Sequence, residues 1–398
     1  MSDLAGALRG VRVLDLSRLL PGPFASLVLA DLGAQVDKVE EVSGGDYVRH
    51  MPPLVPPSPA DAAAGDQSAF FLALNRGKRS IALDLKKKSA VSALLRMVPR
   101  YDVLLEQFRP GVLARLGLST EALRERNPKL IVCALTGYGQ DGPLAQRAGH
   151  DIDYLARAGV LGQQGPAAGP PQIPGFQLAD VGGGLWSVVG ILAALAKRDK
   201  TGEGATVDVS MTEASMGFTI LGIAAQLAGQ TLSRGHEPLA GGLAGYAVYS
   251  TKDGRAVALG ALEPKFWMTF CAAVGLPVDG SSMVPGPHQP ELQERVRAIF
   301  LSRTRAEWEA FGREHDVCLE PVLDPSELAG DAHHVARKAF IDVDSPWGVL
   351  KQLRLPTTSR DASFAAPPKL GQHTEEILRE AGLRQEEITA MKAEGAAR

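Results

Sequence analysis

Short apolar blocks separated by polar, glycine-punctuated stretches dominate the first 135 residues. Val11–Leu16 (VRVLDL) predicts a short buried strand. A Pro/Gly turn follows at 19–24, then a helical stretch over 25–32 that stops at Gly33, and a second strand over 34–40. Strand, turn, helix and strand make a βαβ unit, so a parallel sheet with helices on its faces is expected. Residues 43–68 are rich in Gly, Pro and Ala and predict a long loop or flap. Two apolar segments then flank a basic glycine turn at 75–79. The alternation continues with a helix over 86–99, a strand over 102–107, a helix over 120–126 and a strand over 130–135.

After a glycine-rich loop at 136–143 and a second Gly/Pro-rich loop ending near 176, an apolar run covers 185–196. A strand at 206–210 and a mostly apolar helix over 211–228 follow. The pattern changes near 230. Residues 246–260 predict a β-hairpin around Lys252-Asp253-Gly254. Glu263-Pro264 opens a helix rich in aromatic residues, 291–316 is helical and charged, and 318–323 is a strand. The segment 230–330 therefore reads as a smaller α+β unit. Beyond it come a strand at 349–353, a loop at 357–371 and short helices at 375–381 and 385–394.

Composition narrows the possibilities. The chain has 398 residues, is 45% hydrophobic and carries a net charge of −3, so it can bury a large core and shows no basic excess for nucleic acid. Cys133, Cys271 and Cys318 have neither disulfide-framework nor zinc-ligand spacing, which fits a reducing, cytoplasmic setting. The eight histidines form no HExxH-type cluster, so no metal is expected. No basic segment followed by an apolar core opens the chain, and the run 185–196 is too short to span a bilayer, so no membrane partner is expected. No GxGxxG follows the first strand, which removes the local signal for a dinucleotide.

Candidate chemistry concentrates at 149–184. Gly149 precedes the pair His150-Asp151, and Asp180 stands before Gly182-Gly183-Gly184. An imidazole and a carboxylate, each beside glycine, suit two-base proton transfer, and the glycines let a chain or ligand approach closely. The same residues also read as a capping Asp and a surface His. Arg18 beyond the first strand and Arg109 beyond the 102–107 strand lie where open α/β sheets place ligands. Arg76, Lys78 and Arg79 form a basic turn able to take phosphates or simply to face solvent. Glu263, ahead of a proline-started helix, also has a purely structural reading, since a carboxylate suits the helix dipole there.

Taken together, the blocks RVLDLSRLLPGPFASLVLADLGAQVDKVE, LNRGKRSIALDLK, DVLLEQFRPGVLARLGL, TGYGQDGP, GHDIDYLARAGVL, LADVGGG, GGLAGY and GALEPKF resemble the family III CoA-transferase (CaiB/BaiF) superfamily, which includes α-methylacyl-CoA racemases. The resemblance covers nearly the whole chain. It implies an α/β fold: a Rossmann-like large domain built from both chain ends (1–225 and 331–398), a smaller α+β domain (226–330), and an interlocked homodimer. It implies an acyl-CoA thioester as partner, with coenzyme A as part of the substrate and no separate cofactor. Arg18, Asn75, Lys78, Arg79, Arg109, Gly149 and Asp151 would bind CoA. His150, Asp180 and Glu263 would be catalytic: His150 and Asp180 exchange an α-proton, and Glu263 orients the imidazole. Asp153 stands where the family's motif usually has Asn. In the transferases the residue matching Asp180 is instead a nucleophile that forms an aspartyl-CoA thioester. The residues leave both chemistries open, with the racemase or epimerase reading favoured, and leave a non-catalytic acyl-CoA binder as a third.

Overall fold

The structure, a computed structural model, describes residues 4–277 and 280–398 and divides into two compact units. The first comprises the chain up to Arg157, Phe176–Gly217 and Ala332–Arg398. The second comprises Ala158–Gly175 and Phe218–Asp331.

A six-stranded parallel sheet forms the centre of the first unit. Its strands are β1 (Arg12–Asp15), β2 (Gln35–Glu40), β3 (Lys78–Ala82), β4 (Val103–Glu106), β5 (Ile131–Thr136) and β6 (Thr206–Ser210). The spatial order is β3-β2-β1-β4-β5-β6, with Val13 opposite Val36 on one side and Val103 on the other. Chain direction across the sheet thus reverses between β1 and β4. This is the doubly wound order, whose ligand crevice lies outside the carboxyl ends of the strands at the reversal. Near-continuous burial of β4 and β5 is what a sheet covered on both faces requires.

One face carries the main core, where Leu14, Ile81, Leu104 and Val132 pack with α2 (Lys88–Met97), α3 (Thr120–Arg126) and the C-terminal helices Thr374–Glu380 and Gln385–Ala393. Near the other face α1 (Pro21–Asp31) packs on α5 (Leu178–Thr201), and α5 also contacts β5 and β6. The helix α1 starts four residues before the predicted stretch because proline favours a first helical turn. The apolar run 185–196 is part of the 24-residue α5, long and apolar enough in length and composition to cross a membrane, and half of its apolar window is buried. The expected flap at 43–68 has structure of its own: a 3₁₀ turn at Tyr47–His50, a second at Pro59–Ala64, and a short ladder pairing Leu54–Val55 with Gln67–Ser68. The strand expected at 349–353 is the second arm of a hairpin, Phe340–Ser345 with Gly348–Leu353.

The second unit is built on an antiparallel sheet of Tyr246–Ser250, Ala256–Gly260 and Leu319–Pro321. Trp267, Phe270, Phe300, Trp308 and Phe311 fill its core in offset and edge contacts. The single helix expected over 291–316 is two, Gln289–Phe300 and Arg305–His315. The second starts at a capping box in which Thr304 and Glu307 satisfy each other's backbone N–H groups. The helix expected over 211–228 also breaks, at Gly217, with its first part, α6 (Met211–Met216), in the first unit.

Candidate functional site

The helix α4 (Asp151–Arg157) begins one residue after His150. Asp153 Oδ2 accepts the His150 N–H at 2.9 Å, and the His150 carbonyl accepts the N–H groups of Asp153 and Tyr154. Tyr154 Oη donates to the Gly149 carbonyl at 2.5 Å. The Tyr154 ring stands edge-on to Tyr138, with centroids 5.2 Å apart. A Cβ at Gly149 would lie 2.8 Å from the Tyr154 ring and 3.0 Å from Tyr138 Oη. Gly149 is therefore required for space beside two tyrosines, and its φ is not positive. The peptide carrying His150 is pinned on both sides while its side chain is exposed.

Asp180 is the third residue of α5. The N–H groups of the first four helical residues of α5 are all engaged. Leu178 donates to Phe176 O and Val181 to Gln177 O, while Ala179 and Asp180 donate to Asp151 Oδ1 at 2.7 and 3.1 Å. Gln177, at the cap position, makes no side-chain cap bond. Burial, and then the neighbouring Asp151, pushes the Asp180 carboxyl up to about 7. Burial also raises Asp151, against the two hydrogen bonds it accepts. Tyr154 is pushed up to about 12 by burial and by Asp180. An acid whose affinity for protons sits near neutrality is suited to give and take them at physiological pH.

The glycine run serves packing by the chain. A Cβ at Gly183 would lie 2.6 Å from Met211 and 3.2 Å from Leu135; one at Gly184 would lie 2.7 Å from Pro21 O and 3.0 Å from Phe24. Both glycines hold the Asp180-bearing helix tight against α1, β5 and α6.

The basic turn is arranged differently from the expected phosphate cluster. Asn75 is fully buried, donating to Phe71 O and accepting from Lys78. Lys78 is buried as well; its Nζ donates to Pro23 O at 2.9 Å and lies 3.9 Å from Asp15, and burial draws it down to about 7. Arg76 makes a two-point ion pair with Asp31, at 3.0 and 2.6 Å. Arg79 pairs with Asp37, Glu376 and Glu380. These side chains are committed inside the unit because they lie at or just before β3, beside acid-bearing β2 and α1, and unpaired buried cations are too costly to persist. Arg18 and Arg109 remain exposed. They follow β1 and β4, the two strands at the reversal, and Arg18 lies 4.7 Å over the Tyr47 ring. Gly149, His150, Asp151 and Asp180 come together in the first unit. Glu263 belongs to the second, where it is exposed at the cap position of helix Pro264–Val274.

Sequence reading gave no role to Asp153, noted only as a departure from the family motif, and passed over Tyr154 and Glu106. The first two sit three and four residues after His150, the helical spacing that brings side chains back to one face. Glu106 ends β4, accepts the Phe108 N–H at 2.6 Å and is pushed up to about 7 by burial, with Asp208 adding to the rise. Among the described residues no group of three or more His, Cys, Asp or Glu is arranged to hold a metal.

The family CoA-transferase family III matches residues 8–374. The alpha-methylacyl-CoA racemase of Homo sapiens is 37% identical over 395 residues, covering 98% of this chain and 97% of that protein; that of Mus musculus is 38% identical over 394 residues, covering 97% and 96%. The succinyl-CoA:glutarate CoA-transferase of Homo sapiens is 31% identical, covering 94% of this chain and 85% of that protein. A solved CAIB/BAIF family protein from Brucella suis superposes with a TM-score of 0.82 at 28% identity, covering 95% of this chain and all of that one.

Proposed function

The chain belongs to CoA-transferase family III, and from that premise we propose that it inverts the α-carbon of a 2-methylacyl-CoA by two-base proton transfer through an enolate. The observation that carries this reading is the bonding of the Asp180 N–H to Asp151, the residue directly after His150, with the Asp180 carboxyl raised toward neutrality by burial. One group, imidazole or carboxylate, removes the α-proton from one face. The other, carboxylic acid or imidazolium, returns a proton to the opposite face. The pair ends with the proton on the partner that lacked it, and the reverse reaction restores the start. All four first-turn N–H groups of α5 are engaged, so the thioester oxygen of the enolate takes its hydrogen bond from backbone beside Asp151.

Coenzyme A enters as part of the substrate, and no other cofactor is needed. Arg18 and Arg109 at the sheet reversal are the free cations proposed for its phosphates. A second copy of the chain completes the enzyme as an interlocked homodimer, with both chain ends in the large domain. The row Leu185, Trp186, Val189 and Leu192 exposes an apolar stripe along α5 that such a partner would cover, so its apolarity serves the core and this contact rather than a membrane. Three free cysteines agree with a reducing, cytoplasmic location.

The similarity to a succinyl-CoA:glutarate CoA-transferase supports a second reading, in which Asp180 attacks the acyl-CoA and carries CoA to an acceptor acid. Proton NMR of the protein with (R)- or (S)-2-methyldecanoyl-CoA in D₂O, without free acid, separates the two. Loss of the α-proton signal with epimerisation is expected. No exchange, together with a hydroxylamine-sensitive adduct at Asp180 once an acid is supplied, would establish the transferase.

A further inference from the structure

We propose that Asp151 is a positioning residue, a strut that ties the peptide following His150 to the first turn of the helix bearing Asp180. The inference rests on the roles given to His150 and Asp180 above. One oxygen, Asp151 Oδ1, accepts the N–H groups of Ala179 and of Asp180 itself, at 2.7 and 3.1 Å. A helix start is ordinarily satisfied by a short polar side chain at its own cap position. Here that position holds Gln177, which caps nothing, and the acceptor is borrowed from another helix. The lender is the residue directly after His150. The other end of the strut is also anchored: Asp153 holds the His150 N–H, and Tyr154 holds the Gly149 carbonyl. A continuous set of bonds thus runs from Tyr154 through residues 149–151 to the backbone of Asp180.

The physical value of such a strut lies in the geometry of proton transfer. Two groups acting on opposite faces of one carbon must both stay within hydrogen-bond reach, and a misplacement of about 1 Å is enough to lose roughly a hundredfold in rate. A local cap at 177 would stabilise α5 equally well but leave His150 and Asp180 free to drift apart. The carboxylate also leaves a second negative charge next to Asp180, which adds to the effect of burial on that acid.

The test uses Asp151→Asn and Asp151→Ala in the full chain, with two readouts. The first is hydrogen exchange of the amides of residues 177–181 by mass spectrometry, which needs no turnover. Asparagine keeps an acceptor oxygen and is expected to hold exchange within threefold of the parent. Alanine is expected to speed it at least tenfold. The second is the NMR exchange assay with both enantiomers of 2-methyldecanoyl-CoA. Alanine should lower kcat about a hundredfold with KM within threefold, and asparagine should restore kcat to within tenfold. Unchanged amide exchange in the alanine variant, or exchange in the asparagine variant tenfold or more faster than in the parent, overturns the strut. The asparagine criterion holds even where the alanine variant does not fold. If the parent protein exchanges no α-proton, the racemase reading falls, and amide exchange alone upholds or overturns the strut.

Discussion

Two clusters of charge lie in the first unit, one buried and one half-buried, and they are treated in opposite ways. At the carboxyl ends of β1, β2 and β3 every buried charge has a counter-charge or a hydrogen-bonding partner. Lys38 lies 2.9 Å from Asp46 and donates to Ser17 O, while Arg49 grips Glu40 at 2.7 and 2.8 Å. Glu40 also accepts from Ser80, and Asp15 from Ser17 and Ser26. At the junction of α4 and α5, by contrast, Asp151 and Asp180 lie together with neutral partners only. The first cluster shows charge held for structure: paired, saturated, and shaping the loop after β1, where Leu19 adopts φ of 65° with its N–H on Asp46. The second shows charge left uncompensated, so that a carboxyl drifts toward neutrality and becomes useful for chemistry.

The contrast can be broken most severely at Asp180. Asp180→Asn removes a proton carrier from the uncompensated pair and is expected to cut α-proton exchange by about 10³-fold, within the range for a lost general acid or base. Binding of the CoA thioester, measured by calorimetry, should change less than threefold. A variant that keeps full exchange would take Asp180 out of the mechanism.

Next in size is Lys38→Met in the paired cluster. It strands Asp46 without its cation and is expected to remove about 3–5 kcal/mol of stability in urea unfolding. The folded fraction should retain its exchange activity. A loss below 1 kcal/mol would mean that the cluster is not held together by its charges.

The pH dependence of stability separates the two clusters again. Asp180 has its carboxyl raised in the folded chain to about 7 from an ordinary value of 3.8. Between those values the folded chain holds a proton that the unfolded chain has released. Its contribution is therefore intact below about pH 4, declines as pH rises, and is fully lost above 7. Relative to Asp180→Asn, the parent should lose roughly 4 kcal/mol of unfolding free energy between pH 4 and 8, read from denaturant titrations at each pH. A flat difference would mean that Asp180 is not perturbed.

The smallest expected effect concerns the cations that the paired cluster does not use. Arg109→Ala and Arg18→Ala should each raise KM for the CoA thioester about five- to tenfold, as loss of one charge-assisted contact of about 1–1.4 kcal/mol does, with kcat nearly unchanged. Lys78→Gln, in the buried turn, should leave KM alone in the folded fraction. A KM effect confined to Lys78 would restore the basic turn as the phosphate site.

Periodicity alone made much of the first unit legible. The alternation of strand and helix to residue 135 predicts a parallel sheet, since parallel strands need crossover helices and buried strands are apolar throughout. Breaks at 304 and 217 were harder to see, because a capping Thr or a single Gly inside a helical run barely alters the apolar pattern. Partnership was the illegible part of the site. Arg76, Lys78 and Arg79 look alike to Arg18 and Arg109 in sequence, and only strand order reveals that the first three face acids on neighbouring elements and the last two follow the strands at the sheet reversal. The sequence by itself determined the residue types available for chemistry, the βαβ rhythm and the glycines beside His150 and Asp180. The tertiary structure decided which charges would be neutralised and which left exposed to burial. That decision depends on contacts across 28 residues for Asp151 and Ala179, and 45 for Arg76 and Asp31, which no local pattern encodes.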